Sequence, residues 1–274
     1  MRRRTIPFAP LASLLCVSAW LLAIGGCDTP KPAPAPAASA APAASIAPPS
    51  AATSAAPAAE APPRPARARK DPSQCPKTGP ITFDDPTLET VIRRQLQKPS
   101  GPIARTELKK VKTLDLSQQT KSDDLDPCIF PYLTGLKGLY LAPGDLDDLS
   151  LIKGATNLES LRVSASKVSD LSPLSDLHKL DRLDVGRTPV RDLKPLAGLT
   201  SLTELQIDDT DVSDLSPVAH LEKLEVLLLK RTRVSDISPL KGLRKLKHLY
   251  IEGSLVKDIS PVSGIPGLRI HEGP

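Results

Sequence analysis

Aromatic side chains are scarce in this 274-residue sequence: one Trp, three Tyr and three Phe make up 3% of it. A chain so poor in ring faces lacks the interleaved stacking residues on which single-stranded nucleic acid is held. The four histidines, His178, His220, His248 and His271, and the four cysteines fall at none of the spacings of a zinc site. No HExxH, GxSxG or P-loop pattern occurs either. The sequence therefore announces no nucleophile, no phosphate cradle, no metal and no cofactor, and is read as a non-enzyme. Net charge is missing where it would matter. The formal charge is +5, but residues 1–74 hold eight Lys/Arg against three Asp/Glu, which leaves 28 of each sign in residues 75–274. The high isoelectric point thus belongs to the N-terminal segment and is no argument for nucleic acid.

What is present is one phrase said five times. LESLRVSASKVSDLSPLSDLHK begins at Leu158 and returns from Leu180, Leu202, Leu224 and Leu246, 22 residues apart without insertion or deletion. A looser copy begins at Leu136 and a truncated one at Leu268. This period with an LxxLxL core is the leucine-rich-repeat signature. The fourth and sixth residues of each unit alternate with polar neighbours at the period of a strand, which predicts one short parallel strand per repeat. The ninth is always Ser or Thr (Ser166, Thr188, Thr210, Thr232, Ser254), a hydroxyl ladder suited to bonding the turn backbone. An aspartate recurs at Asp170, Asp192, Asp214, Asp236 and Asp258, mostly followed at two positions by Ser-Pro. Serine as N-cap and proline as first helical residue predict a short helical turn on the outer side. No repeat can bury its own six or seven apolar positions, so the expected fold is an α/β repeat, a solenoid of stacked 22-residue units.

Ahead of the repeats, residues 1–26 read as an export signal. Arg2, Arg3 and Arg4 precede an apolar run from Leu11 to Ile24, too short and wrongly flanked for a spanning helix. Ile24-Gly25-Gly26-Cys27 resembles a lipobox, which would make Cys27 the lipid-bearing residue. An uncleaved anchor or an ordinary secretory signal is the alternative. Asp28 resembles an inner-membrane retention signal, a rule that varies among bacteria. Residues 27–74 turn to Ala and Pro without aromatics, the composition of a disordered tether. Such a tether reaches about 40 Å as a coil and about 145 Å when extended. Arg64, Arg67, Arg69 and Lys70 cluster near its end; a solvated charge run is the first reading, contact with cell-wall polymer or anionic lipid the second.

Residues 75–135 form a cap with a first irregular repeat, and residues 136–274 hold the repeats. Asp85 and Pro86 can open a helix whose apolar face is Leu88, Val91, Ile92 and Leu96. Thr106 is the expected cap of a second turn, and Val111, Leu114 and Leu116 of a first strand. Cys75 and Cys128 bracket this segment, and export favours a disulfide between them over two free thiols.

The run from Ile81 to Ile103, ITFDDPTLETVIRRQLQKPSGPI, followed by repeats containing VSDLSPL, resembles bacterial internalin-type leucine-rich-repeat proteins over residues 75–274. The resemblance implies a right-handed, arc-shaped solenoid that binds another macromolecule on its concave strand face. It carries over no particular receptor: Thr/Ser replaces asparagine in the ladder, the array is short, and no wall-sorting signal follows it. By strand alternation the third, fifth and seventh positions face that side. Tyr140, Arg162, Arg182, Asp184, Glu204, Gln206, Val226, Leu228, Lys230, His248, Tyr250 and Glu252 are the candidate partner-binding residues. Val226, Leu228, His248 and Tyr250 form the apolar centre of that set, with a C-terminal strand or self-contact over them as the alternative. The acids Asp208, Asp209, Asp211 and Asp214 invite a calcium reading. Yet Asp208, Lys230, Glu252 and Arg187, Asp209, Arg231 alternate in sign along successive repeats, which points to structural charge ladders. The expected protein is a lipid-anchored, extracytoplasmic protein-binding module of a bacterial envelope. A cell-wall-associated spacer or self-associating lipoprotein is the alternative.

Overall fold

The computed structural model describes residues 69–119 and 122–273. The signal, Cys27 and most of the tether lie outside the described residues. Among the described residues, eight short strands form one sheet in sequence order, every neighbour parallel. They are β1 (Thr113–Leu116), β2 (Gly138–Leu141), β3 (Ser160–Arg162) and β4 (Arg182–Asp184). β5 (Glu204–Gln206), β6 (Val226–Leu228), β7 (His248–Tyr250) and β8 (Arg269–His271) complete it. From β2 onward a 3-10 turn on the far side separates each strand from the next, Ser172–Leu174 and Ser216–Val218 among them. This is the leucine-rich-repeat solenoid.

Register follows the repeat. Leu139, Leu161, Leu183, Leu205, Leu227 and Leu249 pair in one row across the sheet and are buried. In the central coil Leu202, Leu205, Ile207, Val212, Leu215, Val218 and Leu221 all point inward and are buried. Full burial of one such side chain stabilises by roughly 1.5–3 kcal/mol, and each depends on the coil above and below to reach it.

The recurring aspartate has a different role from the one its neighbours suggest. Serine is not the N-cap: it is the first residue of the 3-10 turn, and the residue before it makes no side-chain cap bond. The aspartate accepts the hydrogen bond from the amide two residues on, as in Asp170 Oδ1 from Ser172 N–H and Asp214 Oδ1 from Ser216 N–H, both 2.8 Å. Asp192 does the same for Lys194 N–H, which explains why the turn survives where serine is replaced. Bonds from Ser172 and Ser216 hold Asp170 and Asp214 below the usual carboxylate range. The hydroxyl ladder bonds within its own repeat: Thr188, Thr210 and Thr232 donate to the carbonyls of Val185, Ile207 and Leu229 at 2.6–2.8 Å.

At the N-terminal end α1 (Pro86–Leu96) covers the first coil, with Asp85 accepting from Thr87 N–H and Leu88 and Ile92 buried. The second turn is α2 (Arg105–Leu108), and its N-cap is Ala104 rather than Thr106. Glu107 Oε2 accepts from the Ala104 N–H at 2.8 Å, the half of a capping box that needs no N-cap side chain. Cys75 and Cys128 are disulfide-bonded, with Cα atoms 5.2 Å apart.

Candidate functional site

The outward face of the sheet is where side chains of successive repeats line up beyond the backbone. Two rows run along it: Ser160, Arg182, Glu204, Val226 and His248 in one, Tyr140, Arg162, Asp184, Gln206, Leu228 and Tyr250 in the other. These are the third and fifth positions expected from strand alternation. Over β2 to β5 the rows are polar and largely satisfied by one another. Arg162 Nε donates to Asp184 Oδ2 at 3.0 Å, and Arg182 stands 3.9 Å from Glu204. Gln206 Nε2 donates to Asp208 Oδ2 at 3.2 Å.

The clustered acids each have a separate partner. Asp208, buried at the seventh position, accepts from Lys230 N–H at 2.7 Å, and its burial pushes the carboxyl above its ordinary range. Lys230 Nζ lies 3.2 Å from Glu252. Arg231 Nη2 donates to Asp209 Oδ2 at 2.6 Å and holds that carboxyl low. Asp211 pairs with Arg191 and Arg233, and Asp214 caps its turn. Neighbouring strands thus pair opposite charges, the ladder that the repeat register dictates. Among the described residues no group of three or more His, Cys, Asp or Glu is arranged to hold a metal ion.

Over β6 to β8 the face changes character. Val226 pairs with His248 and Leu228 with Tyr250, so all four expected side chains meet, each half-buried. His271 joins them, which the 22-residue period does not foresee. Val226 pairs with His248, 22 residues on, and the same step from His248 leads to Ile270, but His248 pairs with Arg269, one position early. The last strand has slipped by one residue, after Gly267 with its left-handed φ of +72°. The slip turns Ile270 toward the core row and His271 outward. The His271 ring stacks on Tyr250 with centroids 4.1 Å apart and planes 9° from parallel. Its Nε2 lies 3.3 Å from His248 Nδ1. Lys230 Nζ stands 5.2 Å from the Tyr250 centroid. The C-terminal strand therefore extends the apolar-aromatic patch sideways by one rung. The signal that could have shown this is the pair Pro266-Gly267 just before the final leucine.

Comparison with known proteins agrees with this architecture. The family described as "Leucine Rich repeats (2 copies)" matches residues 222–264. The chain is similar to internalin C2 of Listeria monocytogenes at 26% identity, covering 70% of this chain and 94% of that one, with a TM-score of 0.59. An internalin, InlF, of the same bacterium is 27% identical over 70% of this chain and 63% of its own, with a TM-score of 0.57. A leucine-rich-repeat protein of Leptospira interrogans shares the fold at 17% identity and a TM-score of 0.54, over 61% and 51% of the two chains. No curated protein matches the sequence.

Proposed function

We propose that this protein is an extracytoplasmic binding module, lipid-anchored through Cys27, that captures another protein on the outward sheet face of its last coils. The observation that carries the reading is the contiguity of Val226, Leu228, His248 and Tyr250 on β6 and β7, extended by His271. Two aliphatic and three ring side chains on adjacent rungs, rimmed by Glu204, Lys230 and Glu252, have the make-up of an interface hot spot. The polar coils before it, with Tyr140, Arg162, Arg182, Asp184 and Gln206, supply orientation more than affinity, because their charges already satisfy one another. The likeness to internalins supports the same face and an extracytoplasmic setting. Cell-wall polymer along the tether is a secondary partner in this reading.

A second reading, a self-associating spacer, draws on the other exposed apolar residues of the last coil: Leu255 and Ile259 are 57% and 39% exposed. Crosslinking capture from intact cells distinguishes the two. The proposed function requires one dominant protein partner, lost when Leu228→Glu is combined with Tyr250→Ala in a chain that keeps its unfolding midpoint. Unchanged capture by the folded double variant would place the site elsewhere, and recovery of glycan or of the chain itself alone would favour the spacer. In the same cells Cys27→Ala should abolish lipid labelling; normal labelling would remove the anchor from this account.

A further inference from the structure

The segment that enters the folded region is held in two ways. At its far end Cys75 is covalently joined to Cys128. At its near end Arg69 and Lys70 lie against carboxylates that belong to separate parts of the chain. Arg69 meets Asp147 and stands 3.4 Å from Asp124 and 3.7 Å from Asp148. Lys70 Nζ donates to Asp84 at 2.7 Å and reaches Asp126 at 3.4 Å. Between these two points the chain is locally stiffened: Asp71 accepts from Ser73 N–H at 2.7 Å, and Pro72–Gln74 make a 3-10 turn. Asp126 connects the two fastenings, because its other oxygen accepts from the Cys128 N–H at 2.8 Å.

The fastenings differ in kind. The disulfide is indifferent to salt, whereas among the described residues the near end is held by ion pairs: Arg69 is about half exposed, and Lys70 with Asp126 is part-buried. Exposed pairs of this sort are individually weak and are screened as ionic strength rises. Neither residue adds apolar burial to the core. The near end can therefore open without disturbing the coils, and the opening must stop at Cys75.

We propose that residues 69–75 are a releasable electrostatic strap on the flank of the first coils, which sets how far back the chain is fixed to them. With the strap closed, the chain is fixed at Arg69, beside Asp147 and Asp148 just ahead of the turn Ser150–Ile152. With it open, the fixed point moves to Cys75 and the six freed residues add about 20 Å of reach.

Trypsin reads the state directly, since it needs an extended, unpaired Arg or Lys. In the full chain, cleavage after Arg69 or Lys70, normalised to a free peptide of residues 66–74, should be slow in 20 mM NaCl. It should rise about tenfold in 1 M NaCl as the pairs are screened. Asp124→Asn with Asp147→Asn and Asp148→Asn removes the partners of Arg69 and should raise the low-salt rate part of the way toward the high-salt one, since Lys70 keeps Asp84 and Asp126. Asparagine at 148 can still accept from Ser150 N–H, so the turn that Asp148 caps is kept. A normalised rate independent of salt, whether slow or fast, would overturn the strap. So would a folded triple variant cleaved as slowly as the parent. If that variant does not fold, the salt series on the unaltered chain decides alone.

Discussion

The first coil and the last face the same problem, an open end of the hydrophobic core, and meet it differently. At the N-terminal end α1 lays Leu88 and Ile92 over the stack, Ile103 and Leu108 fill in behind, and a disulfide ties the segment down. At the C-terminal end β8 pairs with β7, but among the described residues nothing comparable covers the outer side. Ile259 is 39% exposed, while Ile237, the same repeat position one coil earlier, is 1% exposed. Val256 is half-buried where Val234 is buried. The same residue at the same repeat position is buried differently in the two coils because a repeat's core positions are completed by its neighbour. The apolar content of a coil is local; its stabilising effect is shared between coils.

The largest effect expected from this contrast is at the closed end. Cys75 and Cys128 are 53 residues apart, and opening a loop of that size destabilises by about 3–4 kcal/mol. Cys75→Ser or Cys128→Ser should lower the midpoint of thermal unfolding by roughly 10 °C. An unmoved midpoint would mean that helix packing alone closes this end.

Next in size is a matched pair. Ile237→Ala removes a side chain enclosed by coils on both sides and should cost about 3 kcal/mol. Ile259→Ala removes the equivalent side chain from the open end and should cost less than about 1 kcal/mol. Chemical denaturation of the two variants measures the difference. Equal losses would show that the last coil is covered in solution, by a second copy for example, and the contrast between the ends would have to be redrawn.

The inward positions are legible because the LxxLxL phrase, the recurring valine and the two later apolar residues each have one place to go. The facing of Val226, Leu228, His248 and Tyr250 follows from the same alternation. Three features are not legible from the pattern. The recurring aspartate stands beside a serine that looks like the cap, yet it makes the bond itself, since its carboxylate, one bond beyond Cβ, reaches the amide two residues on. The place of His271 depends on a one-residue slip that periodicity cannot express. The third feature is a backbone conformation: the eighth position of every full repeat is left-handed although four different residue types occupy it. Ala165, Arg187, Asp209 and Arg231 have φ between +52° and +55°, and Gly253 has +68°.

That eighth position supplies the smallest predicted effect and the finest comparison between the interior and the end. A left-handed φ crowds the Cβ of an L-residue against its own backbone, at a cost of roughly 1–2 kcal/mol. Glycine avoids this but has more freedom to lose on folding, which offsets about half of the gain. Ala165 is the cleanest site, since its methyl group makes no polar contact that the exchange would remove. Ala165→Gly should therefore stabilise by about 0.5 kcal/mol and raise the unfolding midpoint by about 1–2 °C. The reverse exchange, Gly253→Ala, should destabilise by more than that gain. It adds the left-handed strain, and the new Cβ would also sit 2.9 Å from Arg231 Cγ, so that side chain must shift. Differential scanning calorimetry of the two single variants reads both signs. If Ala165→Gly lowers the midpoint, the turn at position eight is held by the methyl group's packing, and the strain assigned to the interior coils is not there to be relieved.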